Sequence, residues 1–393
     1  MAMALSLQAG QSSMRSDLDY MRVALRLAQR GYGLTSPNPM VGAVLVRNGG
    51  IIGQGWHRRA GHPHAEIEAL RDAQRRERSV RGATLYVTLE PCSTHGRTPP
   101  CTEAILAAGI QRVVVAASDP NPAHQGRGLA LLERAGIEVN VGLLADEANE
   151  TNEAFRHWIV HGTPWVTVKA GMSLDGKIAT VRGESRWITS EKSRVLGMKM
   201  RAGTDAIIVG VNTVLADDPS LTVRLRGFKT KRWWRIVLDP RARTPVTAKV
   251  ISDEHAASTI IVVTEAAPTR RVSALARRAR VLCAPVKDKG IHLPWLLKQL
   301  GKEEITSLLV EGGGETNAAF LGAGLAHRVA FFYAPMVLGG RDAPKAVAGQ
   351  GIARVSQAPK LQAVRWRRIG SDILLTAMWP ENSRKTGYVH WHR

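Results

Sequence analysis

Residues 61–70 read GHPHAEIEAL, and residues 89–104 read LEPCSTHGRTPPCTEA. The first stretch sets His64 two positions before Glu66; the second separates Cys92 from Cys101 by eight residues. In the middle of a helix, residues two apart point about 200° away from each other. His64 and Glu66 therefore cooperate only if His64 stands at the very start of its helix, before the dihedrals become helical. Pro63 favours such a start. Cys101 also follows prolines and opens an apolar helical run, and a helix N-terminus stabilises a thiolate.

One histidine and two cysteines make three protein ligands. Tetrahedral zinc held by three keeps a position open for water, whereas a structural zinc is closed by four. Glu66 beside that site reads as the proton shuttle of a hydrolytic deaminase, the chemistry that an H-x-E signature followed by P-C-x-x-C carries. Here the order of the parts is kept but the cysteines stand further apart, and lengthening such a loop costs little entropy. His57 and His62 lie near enough in sequence to compete as ligands, but neither has a Glu two residues on. Cys283 has no partner motif and reads as core.

Outward from this site the chain alternates helix and strand. Leu18, Met21, Leu25 and Ala28 lie on one helical face, with Ser16 or Asp17 as cap. MVGAVLVRNGGIIGQGW predicts two strands turning at Asn48–Gly50. Helix from about 64 to 78, strand ATLYVTLE, helix from Cys101, strand RVVVAAS, helix 125–135, strand IEVNVG and helix 145–157 follow. This is an α/β layered domain. HGTPW then breaks the pattern at Gly162 and Pro164, and WVTVKA opens a second strand series with AIIVG, WRIVLD, TIIVV, SLLVEG and RVAFFYAP. The expected organisation is a disordered leader (1–16), a first domain (17–162), a second domain (163–380) and a basic tail (381–393).

The 393 residues carry a net charge of +21, unevenly distributed. Residues 1–150 hold 16 Arg, no Lys and 14 acidic residues, a net +2, leaving +19 to the remainder. A nucleic-acid base deaminase would want its polyanion track beside the deaminase site, and there the chain is nearly neutral. Specific nucleic-acid binding is therefore not expected. No apolar run approaches the roughly 20 residues of a membrane span, and the first residues lack a signal-peptide pattern. Three cysteines make no disulfide framework, so a cytoplasmic setting is expected. A homo-oligomer is left open.

In the second half, SLLVEGGGETNAAF and AIIVGVNTVLADDP each run from a strand through a glycine turn into a helix. Such junctions offer backbone N–H groups to phosphate, although they do not form the dinucleotide fingerprint G-x-G-x-x-G.

HAE with PCSTHGRTPPC, TSPNPMVGAVLV (35–46) and DPNP (119–122) resemble the bifunctional pyrimidine deaminase–reductase family of riboflavin biosynthesis. KAGMSLDGKIA, GESRWITS, VNTVLADDPSLTVR and VEGGGETNAAF resemble its reductase half. The resemblance spans roughly residues 17–378. It implies a cytidine-deaminase-like domain followed by a dihydrofolate-reductase-like domain. It implies zinc-dependent loss of an amino group from a diaminopyrimidinone ribosylamino phosphate, then NADPH-dependent reduction of the ribosyl group to ribityl. Carried over by residue, His64, Cys92 and Cys101 hold zinc and Glu66 moves protons. Asn38, His95 and Arg97 meet the deaminase substrate. Lys169, Gly171, Trp187, Thr213, Asp217, Gly313, Gly314, Glu315, Thr316, Asn317, Ala318 and Ala319 surround NADPH. Ser185, Arg201, Leu221, Arg224 and Glu311 surround the reductase substrate, with Arg201 and Arg224 as phosphate holders and Asp217 as proton donor or orienter.

Overall fold

The computed structural model describes residues 16–95, 99–122, 124–225, 233–287 and 290–380. Arg97, the leader through residue 15 and the basic tail lie outside the described residues. The chain divides into two compact units, one up to Asn152 and one from Glu153 onward.

The first unit is a five-stranded sheet in the order β2-β1-β3-β4-β5. Its strands are β1 (Gly42–Arg47), β2 (Gly50–Trp56), β3 (Thr84–Leu89), β4 (Arg112–Ala117) and β5 (Glu138–Val141). β1 pairs antiparallel with β2 and β3, and the rest of the sheet is parallel. Helices α1 (Asp17–Ala28), α2 (Ala65–Arg75), α3 (Cys101–Ala107), α4 (Arg127–Arg134) and α5 (Ala145–Thr151) cover it. The central strands are buried on both faces, so they read as continuous apolar runs. Ala43, Leu45, Leu85, Val87, Val113 and Val115 pack against Ala65, Ala69, Ile105 and Leu132 of α2–α4. Val44, Val46, Tyr86 and Val114 pack on the opposite face against Tyr20, Met21 and Ala24 of α1 and Ala148 of α5. The result is three layers with one helical layer on each face of the sheet.

Helix α2 lies unusually close to β2. A Cβ on Gly53 would stand 2.4 Å from the carbonyl oxygen of Ala69, and one on Gly55 2.3 Å from that of Ala65. Glycine on the strand and alanine on the helix permit this approach, and it fixes the height of the first turn of α2 above the sheet.

The single helix expected over 145–157 is two, α5 and α6 (Glu153–His161), broken at Asn152. The buried Asn152 side chain accepts from the N–H of Met40 (2.7 Å) and donates to its carbonyl (2.9 Å), which draws the backbone out of the helix. The units divide at this point, earlier than the break at Gly162–Pro164. Helix α6 is bound into the second unit: Trp158 donates to the carbonyl of Gly301 (2.8 Å), and Glu153 pairs with Arg328 (2.7 Å).

The second unit is built on a nine-stranded sheet ordered β10-β9-β8-β7-β13-β6-β14-β16-β15. In chain order these strands are β6 (Trp165–Ser173), β7 (Ala206–Gly210), β8 (Trp234–Leu238), β9 (Thr259–Val263), β10 (Arg280–Cys283), β13 (Ser307–Val310), β14 (Arg328–Ala334), β15 (Gln362–Ile369) and β16 (Asp372–Met378). β11 (Val286–Lys287) and β12 (Gly290–Ile291) form a separate hairpin. From β10 to β14 the pairing is parallel, and the C-terminal hairpin β15–β16 closes one side antiparallel. The helices are α7 (Glu191–Ala202), α8 (Val211–Asp217), α9 (Lys249–Ser252), α10 (Thr269–Ala276), α11 (Leu293–Lys302) and α12 (Gly314–Gly322). Both faces of the parallel strands are buried, so ligands are confined to the ends of the strands.

Candidate active sites

His64 is the N-cap of α2, with extended dihedrals (φ −72°, ψ 166°), and Glu66 lies in the first turn. Cys101 is the first residue of α3, behind Pro100. Both helix starts predicted from the prolines are therefore present, and they converge with Cys92 from the loop after β3. His64 Nδ1 lies 3.3 Å from Cys101 Sγ and 3.5 Å from Cys92 Sγ. Metal–ligand bonds of about 2.0–2.3 Å at tetrahedral angles separate ligand atoms by roughly 3.5 Å, so this donor set fits zinc. It is the group of His, Cys, Asp and Glu side chains among the described residues whose ligand atoms gather in this way.

The backbone N–H of Cys101 donates to Cys92 Sγ (3.3 Å). The Cys101 thiol beside Cys92, with His64, pulls the Cys92 thiol well below its ordinary value against the effect of burial. The Cys101 thiol is pushed up, first by its contact with Cys92 and then by burial. Zinc takes cysteine as thiolate, so metal binding releases the thiol protons.

Glu66 is buried, and its Oε2 has no hydrogen-bond partner among the described residues. Burial pushes its carboxyl above the usual range, offset in part by His64. An orphaned carboxylate oxygen beside three converged ligands is costly unless a reacting group occupies the gap.

Around this centre, Asn38 Nδ2 lies 3.1 Å from Nε2 of His57, whose Nδ1 lies 3.1 Å from the carbonyl oxygen of Pro63. Burial pulls the His57 pKa down. His57, a possible competing ligand in the sequence, thus faces Asn38 and Pro63. His95 is exposed, with Nε2 4.0 Å from Glu103. Glu90, which the sequence did not single out, accepts three backbone N–H bonds of 3.0–3.1 Å from Asp119, Gly126 and Gly128. It ties the DPNP loop to the strand end that bears Cys92.

In the second unit, a cavity of about 670 Å³ opens at the ends of β7, β8 and β13. Its wall includes Ser185, Thr213, Asp217, residues 313–316 and Ala319. At Gly312 and Gly314, around the start of α12, the packing leaves no room for side chains. A Cβ at Gly312 would lie 2.4 Å from that of Thr316, and one at Gly314 2.3 Å from the carbonyl of Lys345. Thr213 Oγ1 accepts from the N–H of Gly313 (3.2 Å), and Ser185 Oγ donates to Asp217 (3.2 Å). Leu238, Pro240 and Arg243 also line this cavity; no sequence motif marks them.

The remaining expected residues lie elsewhere. Lys169 and Gly171 are on β6, and Trp187 is exposed beneath the Arg194 guanidinium, 4.4 Å from the ring. Asn317 is buried and donates to the carbonyl of Ala346 (2.8 Å), with Ala318 buried beside it in α12. Arg201 forms a two-pronged ion pair with Glu311 (2.9 and 2.6 Å) and also donates to the carbonyl of Thr222 (3.1 Å). Burial pushes the Glu311 carboxyl up, but Arg201 and then Lys169 outweigh it and hold it at about 2. Leu221 is buried with φ +52°, and Arg224 is exposed.

Residues 14–117 match the model of the cytidine and deoxycytidylate deaminase zinc-binding region, and residues 164–375 match that of the RibD C-terminal domain. Fold and sites thus define a zinc-dependent, cytidine-deaminase-like unit and a dihydrofolate-reductase-like reductase unit on one chain. The chain is 43% identical over 359 residues to the riboflavin biosynthesis protein RibD of Aquifex aeolicus, covering 91% of this chain and 97% of that one. Among solved structures it is similar to Acinetobacter baumannii RibD (TM-score 0.81, 36% identity, 93% and 99% covered). It is similar also to a diaminohydroxyphosphoribosylaminopyrimidine deaminase/5-amino-6-(5-phosphoribosylamino)uracil reductase of Thermotoga maritima (TM-score 0.81, 35% identity, 92% and 98% covered). The chain belongs to the RibD family of bifunctional deaminase–reductases of riboflavin biosynthesis, and its cofactors are zinc and NADPH.

Proposed function

We propose that the first unit removes the 2-amino group of 2,5-diamino-6-(5-phosphoribosylamino)pyrimidin-4(3H)-one and that the second reduces the ribosyl group of the product to ribityl. The observation that carries the first step is the buried, unpartnered Oε2 of Glu66 beside the converged His64, Cys92 and Cys101. These three residues hold the metal. Bound zinc supplies a Lewis acid and lowers the pKa of water to near 7. Glu66 Oε2 accepts a proton from the attacking water and returns it to the departing amine, the role of a general base that then acts as general acid. Asn38, His95 and Arg97 hold the pyrimidine and its substituents.

In the second unit, the 670 Å³ cavity would hold NADPH through Thr213, Asp217, residues 313–316 and Ala319; Lys169, Gly171, Trp187, Asn317 and Ala318, also assigned to the cofactor, stand outside its wall. The cofactor supplies the hydride, and the protein supplies position and charge. Ser185, Arg201, Leu221, Arg224 and Glu311 receive the substrate. Arg201 has five N–H donors; three serve Glu311 and Thr222, which leaves two for a phosphate. Asp217 donates a proton or orients the sugar.

Two ligand thiols require reducing conditions, which supports a cytoplasmic location; no helix among the described residues is long and apolar enough to cross a membrane. The near-neutral first unit supports a small-molecule substrate over a nucleic acid. The test supplies the diaminopyrimidine substrate to the full chain with and without NADPH and reads product masses. Deaminated product should form without NADPH, and reduced product only with it. Failure of either mass change rejects the corresponding half of the reading.

A further inference from the structure

His57 is 2% exposed, and both of its ring nitrogens have polar neighbours at 3.1 Å: the Pro63 carbonyl oxygen for Nδ1 and the Asn38 amide for Nε2. A carbonyl oxygen only accepts, so the contact at Nδ1 requires a proton there. The opposite tautomer would set two lone pairs against each other. Protonating both nitrogens would bury a positive charge against a carbonyl and an amide, with no carboxylate in either contact. The ring is therefore neutral, with Nε2 bare. A bare Nε2 only accepts, so the Asn38 group facing it is the NH₂, and the Asn38 oxygen points away from the ring. The assignment of this amide follows from the Pro63 carbonyl, two hydrogen bonds away.

The backbone secures the same arrangement. The His57 N–H donates to the carbonyl of Val41 (2.9 Å), and the Asn38 N–H donates to that of Thr35 (2.9 Å). Pro63 immediately precedes His64, whose ring meets His57 edge-on at 5.5 Å between centroids. Three segments of the first unit therefore meet at one imidazole: the loop bearing Asn38, the end of β2 and the start of α2.

We propose that His57 is a positioning residue that fixes the Asn38 side-chain amide so that Oδ1, a pure hydrogen-bond acceptor, is the atom offered to the pyrimidine. This rests on the assignment of Asn38 to the substrate site. An acceptor held in one orientation favours a ring that presents N–H at that point and disfavours one that presents a carbonyl. An amide free to rotate would accept either.

Two measurements test it. In full-length zinc-loaded protein labelled with nitrogen-15 histidine, the signal lost in His57→Gln should be that of a neutral ring protonated on Nδ1. A ring protonated on Nε2, or on both nitrogens, at neutral pH overturns the inference, and this readout needs neither substrate nor turnover. In the second, His57→Leu should raise the deaminase KM about tenfold, the scale of one hydrogen bond, with kcat changed less than about threefold. Zinc content and reduction of deaminated substrate should be unchanged, and His57→Gln, whose amide oxygen reaches toward Asn38, should recover part of the loss. A fall in kcat at constant KM, or no change in either, overturns the inference. If the unaltered protein fails to deaminate the substrate, the reading of the site falls while the tautomer result still stands or falls by itself.

Discussion

Arg201→Ala is expected to damage the second unit before it damages substrate binding. The guanidinium has a side-chain exposure of 14% and its partner Glu311 one of 8%, joined by two bonds of 2.9 and 2.6 Å. Removing one partner of such a pair leaves an uncompensated buried charge, a cost of about 3–5 kcal/mol. The carboxyl itself gives a similar figure. It is held at about 2 rather than near 4.5, and at about 1.4 kcal/mol per unit this is worth about 3 kcal/mol, shared between Arg201 and Lys169. Because the folded pKa is depressed, this stability is present above about pH 4.5 and is lost as pH falls toward 2. Urea unfolding followed by tryptophan fluorescence reads the second unit almost alone, since Trp56 is the one tryptophan of ten that precedes Glu153. Arg201→Ala should lower the midpoint steeply and flatten the acid limb of the stability profile. Arg201→Met with Glu311→Leu should restore most of the loss, since an apolar pair of similar volume replaces the ion pair. A single Arg201→Ala protein within about 1 kcal/mol of the parent, with only a raised reductase KM, would refute this reasoning and leave Arg201 as a substrate contact alone.

Glu66→Gln should retain zinc by metal analysis and lose deamination by about a hundred- to ten-thousandfold, the usual worth of a positioned acid–base group. Stripping zinc with a chelator should abolish deamination and leave NADPH oxidation with deaminated substrate intact, as followed by absorbance. Asp217→Ala should slow that NADPH oxidation at least about tenfold without affecting deamination, so that mass spectrometry finds the unreduced intermediate accumulating. Gly55→Ala would set a methyl group 2.3 Å from the Ala65 carbonyl. It should destabilise the first unit by about 1–3 kcal/mol and depress deamination while sparing reduction.

The convergence of His64, Cys92 and Cys101 was legible because its signals are local. Pro63 and Pro100 mark helix starts within one residue of His64 and Cys101, and the strands beside them stand out as continuous apolar runs. What was not legible depends on partners distant in sequence. The break at Asn152 comes from Met40, 112 positions away. The engagement of Arg201 comes from Glu311, 110 positions away. His57 could be noticed only as a neighbouring histidine, since its role depends on which groups face its two nitrogens. The hairpin β15–β16 escaped notice because almost all of β15 is exposed and rich in arginine, so its alternation carries little apolar contrast. Arg243 reaches the cavity from a loop whose composition gives no hint of a ligand.

The pairing of β6 has a consequence for how the chain is made. The first unit draws on a contiguous segment that ends at Asn152, and its sheet closes as soon as that segment is available. β6 follows at once, but its neighbours in the sheet are β13 and β14, beginning at Ser307 and Arg328. Trp165 therefore waits roughly 140 residues for its partner Ser307, about 7–28 s at translation rates of roughly 5–20 residues per second. Throughout that interval both edges of β6 lack their sheet partners, while the deaminase unit has every residue it needs to fold and take up its metal. Synthesis thus completes the two active sites in the order in which the pathway uses them, and the interval between them is when the nascent chain is most exposed to edge-to-edge association.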